Sequence, residues 1–320
     1  MTALRTVMGM ALVPVLVLAA AQAQGAPALP AQQTPYVFHA NVGEVLVHAT
    51  VVNKKDQPVT NLPQPDFTIY ENGVPQRIEY FAHEDAPVSV GILVDNSGSM
   101  KDSRPEVNRA ALNFVKASNQ QDEVFIVNFN DEYYLDAAFT NNISKLQDAL
   151  DHIESSGGTA LYDATIASLD YMNNNARNDK HVMLVITDGD DDESSYTLEE
   201  TVRLLQTKNS PLLYCIGIMD KDNTRSMTHQ AERALKALAQ ATGGAAYFPR
   251  DLQQVNAITL AVAKEIRSQY SFAYHSNQTG AGFRAIRVEV EDKHQKHLTV
   301  HARNGYYANA PSPAAGGGSR

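Results

Sequence analysis

"VSVGILVDNSGSMKDS", residues Val88–Ser103, decides how this chain is read. A short run rich in Val and Ile ends in Asp95, then offers Ser97 and Ser99 two residues apart with Gly98 between them. Apolar side chains at successive positions would line both faces of a strand, the pattern of a parallel sheet covered on both sides. The same strand delivers three small oxygen-bearing side chains to the loop at its carboxyl end. In open α/β sheets that end is where ligands bind.

Outward from this strand, from about Val88 to Gln269, short apolar runs alternate with amphipathic ones. Strands are expected at "VSVGILV", "EVFIVNF", "HVMLVIT" and "PLLYCIGI", and more weakly at "YYLDAAF" and "AAYFP". Helices fit "RPEVNRAALNFVKAS", "ISKLQDALDHI", "LYDATIASLDYMNN", "TLEETVRLLQT", "HQAERALKALAQAT" and "DLQQVNAITLAVAKEIRSQ". The alternation predicts an α/β, doubly wound, mostly parallel-sheet domain over residues 87–269. In its last helix Val255, Ile258, Val262 and Ile266 fall at three- and four-residue steps, a core-facing stripe. That helix runs without a linker into the next strand, so it either simply packs or passes force to the site.

On both flanks the period is two. Residues 41–84 carry "EVLVHATVV", "DFTIY" and "QRIEYF", the last two joined through the turn signal Asn72-Gly73. Residues 270–308 carry "YSFAYHS", "AIRVEVED" and "HLTVHAR". Three strands on either side are too few to stand alone, but together they suffice for a small antiparallel β-sandwich. The expected architecture is therefore one discontinuous β-sandwich with the α/β domain inserted in its middle.

The ends read differently. Arg5, the apolar stretch from about Val7 to Ala20 and the Ala21-Gln22-Ala23 site form the three-part pattern of a signal peptide, residues 1–23. The apolar part is short for a membrane span and contains Pro14. No second long apolar segment follows, so the mature chain is expected to carry no transmembrane segment and to be exported, periplasmic or secreted. Residues 24–40 read as a flexible lead-in and residues 309–320 as a disordered tail. Cys215 is the single cysteine, so an exported fold must rest on its core, and its apolar context makes it a small buried hydrophobe. A formal charge of −10 argues against a nucleic-acid partner and against anionic lipid, and it suits cations.

Three loops pool matching chemistry. Besides Asp95-Asn96-Ser97-Gly98-Ser99 there is "SSGGTALYDA", where Gly157 and Gly158 precede Thr159, and "VITDGDDDES", where Asp188 follows a strand. Together they offer two carboxylates and three hydroxyls, with no Cys or His. An all-oxygen set suits a hard cation, Mg²⁺ first, with Mn²⁺ or Ca²⁺ as alternatives. Neutral hydroxyls leave a divalent charge under-compensated, so such an ion would recruit a carboxylate from outside.

At these residues the chain resembles the von Willebrand factor A family. Asp95-x-Ser97-x-Ser99, Thr159 after Gly-Gly, and Asp188 in Thr-Asp-Gly match the five positions of that family's metal-ion-dependent adhesion site. The flanking strand blocks are similar to secreted, acidobacterial-type proteins called VWFA-related. The resemblance implies that Ser97 and Ser99 coordinate the metal directly, that Thr159 does so in the ligand-competent state, and that Asp95 and Asp188 act chiefly through bound water. It also implies an Asp or Glu of a partner protein as the last ligand, and a non-enzymatic adhesion or scaffold role.

The rival reading is a haloacid-dehalogenase-like phosphatase using Asp95, with Thr159, Lys180 and the run Asp190-Asp191-Asp192 in supporting parts. That chemistry needs a second acid two residues after the nucleophile, and Ser97 cannot serve as one. The acidic run "DGDDDES" offers a second cation site as one reading, but a solvated loop is the expected one. If "HLTVHAR" is one strand, His297 and His301 share a face about 13 Å apart, too far to hold one zinc ion with His294. No Walker loop, H-E-x-x-H or G-x-S-x-G occurs.

Overall fold

The computed structural model describes residues 44–308 except positions 56, 84, 152–154, 209, 220–223 and 292–296. The signal segment 1–23, the lead-in 24–40, the tail 309–320 and His294 lie outside the described residues. Strands β1 (Glu44–Val52), β2 (Phe67–Glu71), β3 (Val74–Gln76) and β4 (Tyr80–Ala82) come first. Then follow β5 (Val88–Asp95), α1 (Arg104–Lys116), β6 (Glu123–Phe129), β7 (Tyr133–Thr140), α2 (Ile143–Asp151) and α3 (Leu161–Asn175). Next come β8 (Lys180–Thr187), α4 (Leu198–Leu205), β9 (Leu212–Gly217), α5 (Arg225–Thr242), β10 (Ala246–Tyr247) and α6 (Gln253–Arg267). β11 (Tyr270–His275), β12 (Gly282–Val290), β13 (Thr299–Ala302) and β14 (Gly305–Ala308) close the series.

The central sheet has the order β10-β9-β8-β5-β6-β7. All pairs in it are parallel except β7, which runs antiparallel along the outer side of β6. Every residue of β5 is buried, as its doubly apolar sequence requires. Val88, Val90, Ile92 and Val94 face one core with Phe114 of α1, Leu146 of α2 and Val255, Val262 and Ile266 of α6. Leu93 faces the other core, with Leu169 of α3, Leu205 of α4 and Leu235 of α5. Each such side chain contributes about 1.5–3 kcal/mol when fully buried. A Cβ at Gly91 would strike the Phe125 ring, so only glycine lets that ring lie against the central strand. Cys215 is fully buried in the second core, and burial pushes its thiol up to about 12.

The expected fold class is the observed one. The flanking strands form two four-stranded sheets, β13-β1-β11-β4 and β14-β12-β2-β3, and each draws strands from before and after the α/β part. Between them Phe67, Phe81, Tyr270 and Phe272 interlock, with ring centroids 4.8 Å apart for Phe67–Tyr270 and 4.9 Å for Phe67–Phe272. The Tyr270 hydroxyl is satisfied twice, donating to Val59 O and accepting from Leu62 N. The hairpin between β2 and β3 turns at Asn72 and Gly73, with φ of 48° and 79°, the pair of positive angles that a two-residue type I′ turn demands.

Three details correct the sequence reading. "QRIEYF" is not one strand: Gln76 ends β3 and Tyr80 opens β4, and these lie in opposite sheets, so the chain crosses the sandwich between them. Period two reports which face a residue takes, not which sheet it joins. The strand expected across "HLTVHAR" covers Thr299–Ala302 only; His297 precedes it at φ 64°, so the shared-face geometry does not apply, and both His297 and His301 are exposed. A further strand, β14, follows immediately, its Tyr306 buried against β12.

Candidate metal centre

Because β5, β6, β8 and β9 run parallel, their carboxyl ends meet at one edge of the sheet, and Asp95, Phe129 and Thr187 stand there side by side. Asp95 is fully buried. Its Oδ1 accepts from Ser97 N at 2.8 Å and its Oδ2 from the Thr187 hydroxyl at 2.5 Å, while Thr187 Oγ1 accepts from Gly189 N at 2.9 Å. The carboxylate is thus oriented from both sides by its own loop and by the end of β8. Ser97 Oγ and Ser99 Oγ lie 3.1 Å apart, Ser97 buried and Ser99 exposed.

The second loop is tied to the first by Gly98 N donating to Gly157 O (3.1 Å) and Ser156 N donating to Asn96 O (3.0 Å). Gly157 has φ 78°, and a Cβ there would collide with the Asp131 carboxylate. Gly158 N donates to Asp131 Oδ1. Thr159, buried, is held reciprocally by the third loop: its N–H donates to Asp192 Oδ1 at 2.7 Å, and Asp192 N donates to Thr159 O at 3.1 Å. Asp188 is buried at the same edge, its Oδ1 accepting from Asp190 N. All five expected residues therefore stand on three mutually hydrogen-bonded loops. Direct side-chain contact joins Ser97 to Ser99.

The acidic run is not merely solvated. Asp191 Oδ2 accepts from Tyr162 N at 3.0 Å and from the Ser194 hydroxyl, which itself accepts from Tyr162 N and Asp163 N. Ala160 cannot cap α3, so these side chains cap it from another loop, and the helix dipole favours the negative charge there. The spacing of the acids in sequence hides this role. Asp131 was also missed, although the crevice rule points to the loop after β6 as much as to the other two.

Electrostatically the edge is short of positive charge. Burial first, and the neighbouring Asp188 second, push Asp95 from 3.8 up to about 6, against the pull of the bonds from Ser97 and Thr187. The buried Arg104 reaches the Asp95 backbone carbonyl (3.4 Å) and Asn128 Oδ1 (3.2 Å) rather than the carboxylate. Two buried acids of like charge with adjacent hydroxyls are the donor chemistry of a hard divalent ion. The Ser97 and Ser99 hydroxyls, 3.1 Å apart and hydrogen-bonded to each other, lie close enough for both to reach one ion. Among the described residues no group of three or more His, Cys, Asp or Glu could hold a metal, so an ion here would depend on the hydroxyls.

The phosphatase constellation does not assemble. Lys180 pairs with Val88 at the beginning of β5, seven residues from Asp95, about 23 Å along the strand.

A family model described as von Willebrand factor type A domain matches residues 89–261. No curated protein matches the chain. Among solved structures, BatB from Bacteroides thetaiotaomicron is 17% identical over 56% of this chain and 98% of that chain, with a TM-score of 0.44. A von Willebrand factor type A protein from Catenulispora acidiphila is 11% identical over 83% and 75%, with a TM-score of 0.48. The vWF domain of the type V pili tip protein Mfa5 from Porphyromonas gingivalis is 10% identical over 57% and 95%, with a TM-score of 0.45.

Proposed function

The chain belongs to the von Willebrand factor type A domain family, and from that premise we propose that it is an exported, non-enzymatic adhesion or scaffold protein that binds a partner protein through a divalent cation. Asp95, Ser97, Ser99, Thr159 and Asp188 would hold the ion, Mg²⁺ in the first place. The observation that carries this reading is the buried Asp95 beside Asp188 with the Ser97 and Ser99 hydroxyls 3.1 Å apart.

A bound ion would supply an open coordination position and net positive charge for an Asp or Glu of the partner. The chain's own residues prepare that position. Thr187 and Ser97 N orient Asp95, and Asp131 and Asp192 hold the Gly157–Thr159 turn. Ser99 is the solvent-facing member of the set, which suits a site open to a partner. Export is supported by the N-terminal pattern in the sequence; among the described residues no helix is long and apolar enough to cross a membrane.

Titration calorimetry of wild type and Asp95→Ala with Mg²⁺ tests the site: saturable binding by wild type and its loss in the variant are expected, and equal binding by both refutes it. Capture of a partner from envelope extract should then be abolished by EDTA.

A further inference from the structure

At the opposite edge of the sheet, where the strands begin, the α/β part meets the sandwich around a cavity of about 210 Å³. Its wall includes His48 of β1, Arg177 and Asp179 between α3 and β8, His181 of β8, Lys208 after α4, and Arg303 between β13 and β14. Five of these six side chains are basic. The cavity lies beyond the metal centre by the full length of β8, whose far end carries Thr187 and Asp188.

The positive charge on this wall is poorly answered from within the protein. Arg177 has a carboxylate partner, its Nε donating to Glu123 Oε2 at 2.7 Å, and Asp179 and Glu123 favour the charged form of His181 without outweighing its burial. Arg303 is buried, and its donors end on neutral carbonyls: Gly305 O at 3.2 Å, Lys208 O at 2.8 Å and Thr207 O at 2.5 Å. His48 shares its Nδ1 with the Ser271 hydroxyl at 2.9 Å. The Lys208 ammonium has no hydrogen-bond or ion-pair partner among the described residues; it feels Arg284 against it and Glu71 and Glu44 in its favour. Burial, first of all, holds His48, His181, Lys208 and Arg303 below their ordinary values, and at His48 the charges of Lys180, His181 and Arg303 add to it. Desolvated bases that crowd one another gain when an anion enters. Water occupies about 30 Å³ in the liquid, so the space admits a compact oxyanion with a few waters but no long chain.

We propose that this seam cavity is a binding site for a small doubly charged oxyanion of the phosphate or sulfate class, held by Lys208, His48 and His181 within the field of Arg303. The site is independent of the metal centre. An anion there would neutralise the charge that β1, the β13–β14 turn and the amino end of β8 bring together, and so tighten the contact between sandwich and sheet.

The test uses the full chain in EDTA, so that no divalent ion can bridge, at ionic strength held constant with chloride. Calorimetric titration with inorganic phosphate, and separately with sulfate, should give one saturable site, and Lys208→Gln should weaken it at least tenfold. The ring resonances of His48 and His181 should shift during the phosphate titration of wild type, a readout that needs no variant. The absence of saturable binding by both anions, wild-type affinity in Lys208→Gln, unmoved histidine resonances, or equal affinity for acetate would each overturn the proposal.

Discussion

Replacing Asp95 by Asn should stabilise the metal-free protein while removing its response to magnesium. In the folded chain Asp95 is fully buried, and burial together with Asp188 raises it from 3.8 to about 6. A carboxyl whose folded value is raised binds its proton more tightly when folded, so the stability is complete below the unfolded value and falls as pH rises through about 6. At 1.36 kcal/mol per unit, a rise of about two units costs the metal-free fold ~3 kcal/mol at pH 7. Asparagine carries no charge and keeps an acceptor for Ser97 N, but it loses the acceptor for the Thr187 hydroxyl, about 1 kcal/mol. The net gain is ~2 kcal/mol, or about 4 °C in the melting temperature of a chain this size. With Mg²⁺ at a hundred times its dissociation constant, wild type gains ~2.7 kcal/mol, which reverses the order. Thermal unfolding followed by circular dichroism, in EDTA and then with increasing Mg²⁺, should show the two curves crossing. If Asp95→Asn melts below wild type in EDTA, or gains as much from Mg²⁺, the account of a cation-short edge is wrong.

Other perturbations reach the same structure from different sides. Gly157→Ala should weaken Mg²⁺ binding about tenfold or more with the far-ultraviolet spectrum unchanged, because its positive φ and the Asp131 carboxylate leave no room for a methyl; unchanged calorimetric affinity would refute the role given to that turn. Glu71 is fully buried in the sandwich and accepts from Tyr274 (2.6 Å), Tyr306 (3.1 Å), Ser276 and Arg284. Glu71→Gln should cost about 3 kcal/mol in denaturant unfolding, since it leaves Arg284 buried without its counter-charge. Glu123 is lowered: burial opposes the shift, but bonds from Ser89 and Arg177 outweigh it. Its contribution is therefore present above the ordinary glutamate value of 4.5 and lost as pH falls below it. Glu123→Gln should flatten the acid limb of the stability profile between about pH 5 and pH 3.

How far these features could be read from residues alone depends on where their partners lie in the chain. The central strand was legible because a run apolar on both faces has few other uses, and Asp95-x-Ser97-x-Ser99 announced an oxygen-rich loop at its end. The stripe on α6 was legible because helical spacing is local, and Val255, Val262 and Ile266 are indeed in the core. What escaped was set by contacts between distant segments. Thr187, which orients Asp95, sits 92 positions away. Asp192, 33 positions from Thr159, looks like one more charge in a polar loop. The break between Gln76 and Tyr80 follows from the need to cross between two sheets, a tertiary demand with no local signature. β14 was hidden behind Asn304-Gly305, which marks a turn but not the strand after it.

The foot of α6 bears on how metal site and sandwich could communicate. Only Ser268 and Gln269 separate α6 from β11. Glu265 accepts from Thr50 of β1 (3.2 Å), Tyr214 of β9 (3.2 Å) and Tyr247 of β10 (2.8 Å), and Gln269 donates to both Thr50 and Tyr214. Arg267 pairs with Asp85 and Asp122, and Lys180 donates to Ile266 O. A one-turn slide of α6 is about 5.4 Å, and it would break most of these contacts at once while drawing Val262 and Ile266 out of the core. Hydrogen bonds with charged partners contribute about 1.5–3 kcal/mol each. Coupling between distant sites requires two arrangements of comparable free energy. At this end of the helix the bonds of Glu265, Arg267 and Gln269 hold the arrangement described, and any slide of α6 would have to offset their loss.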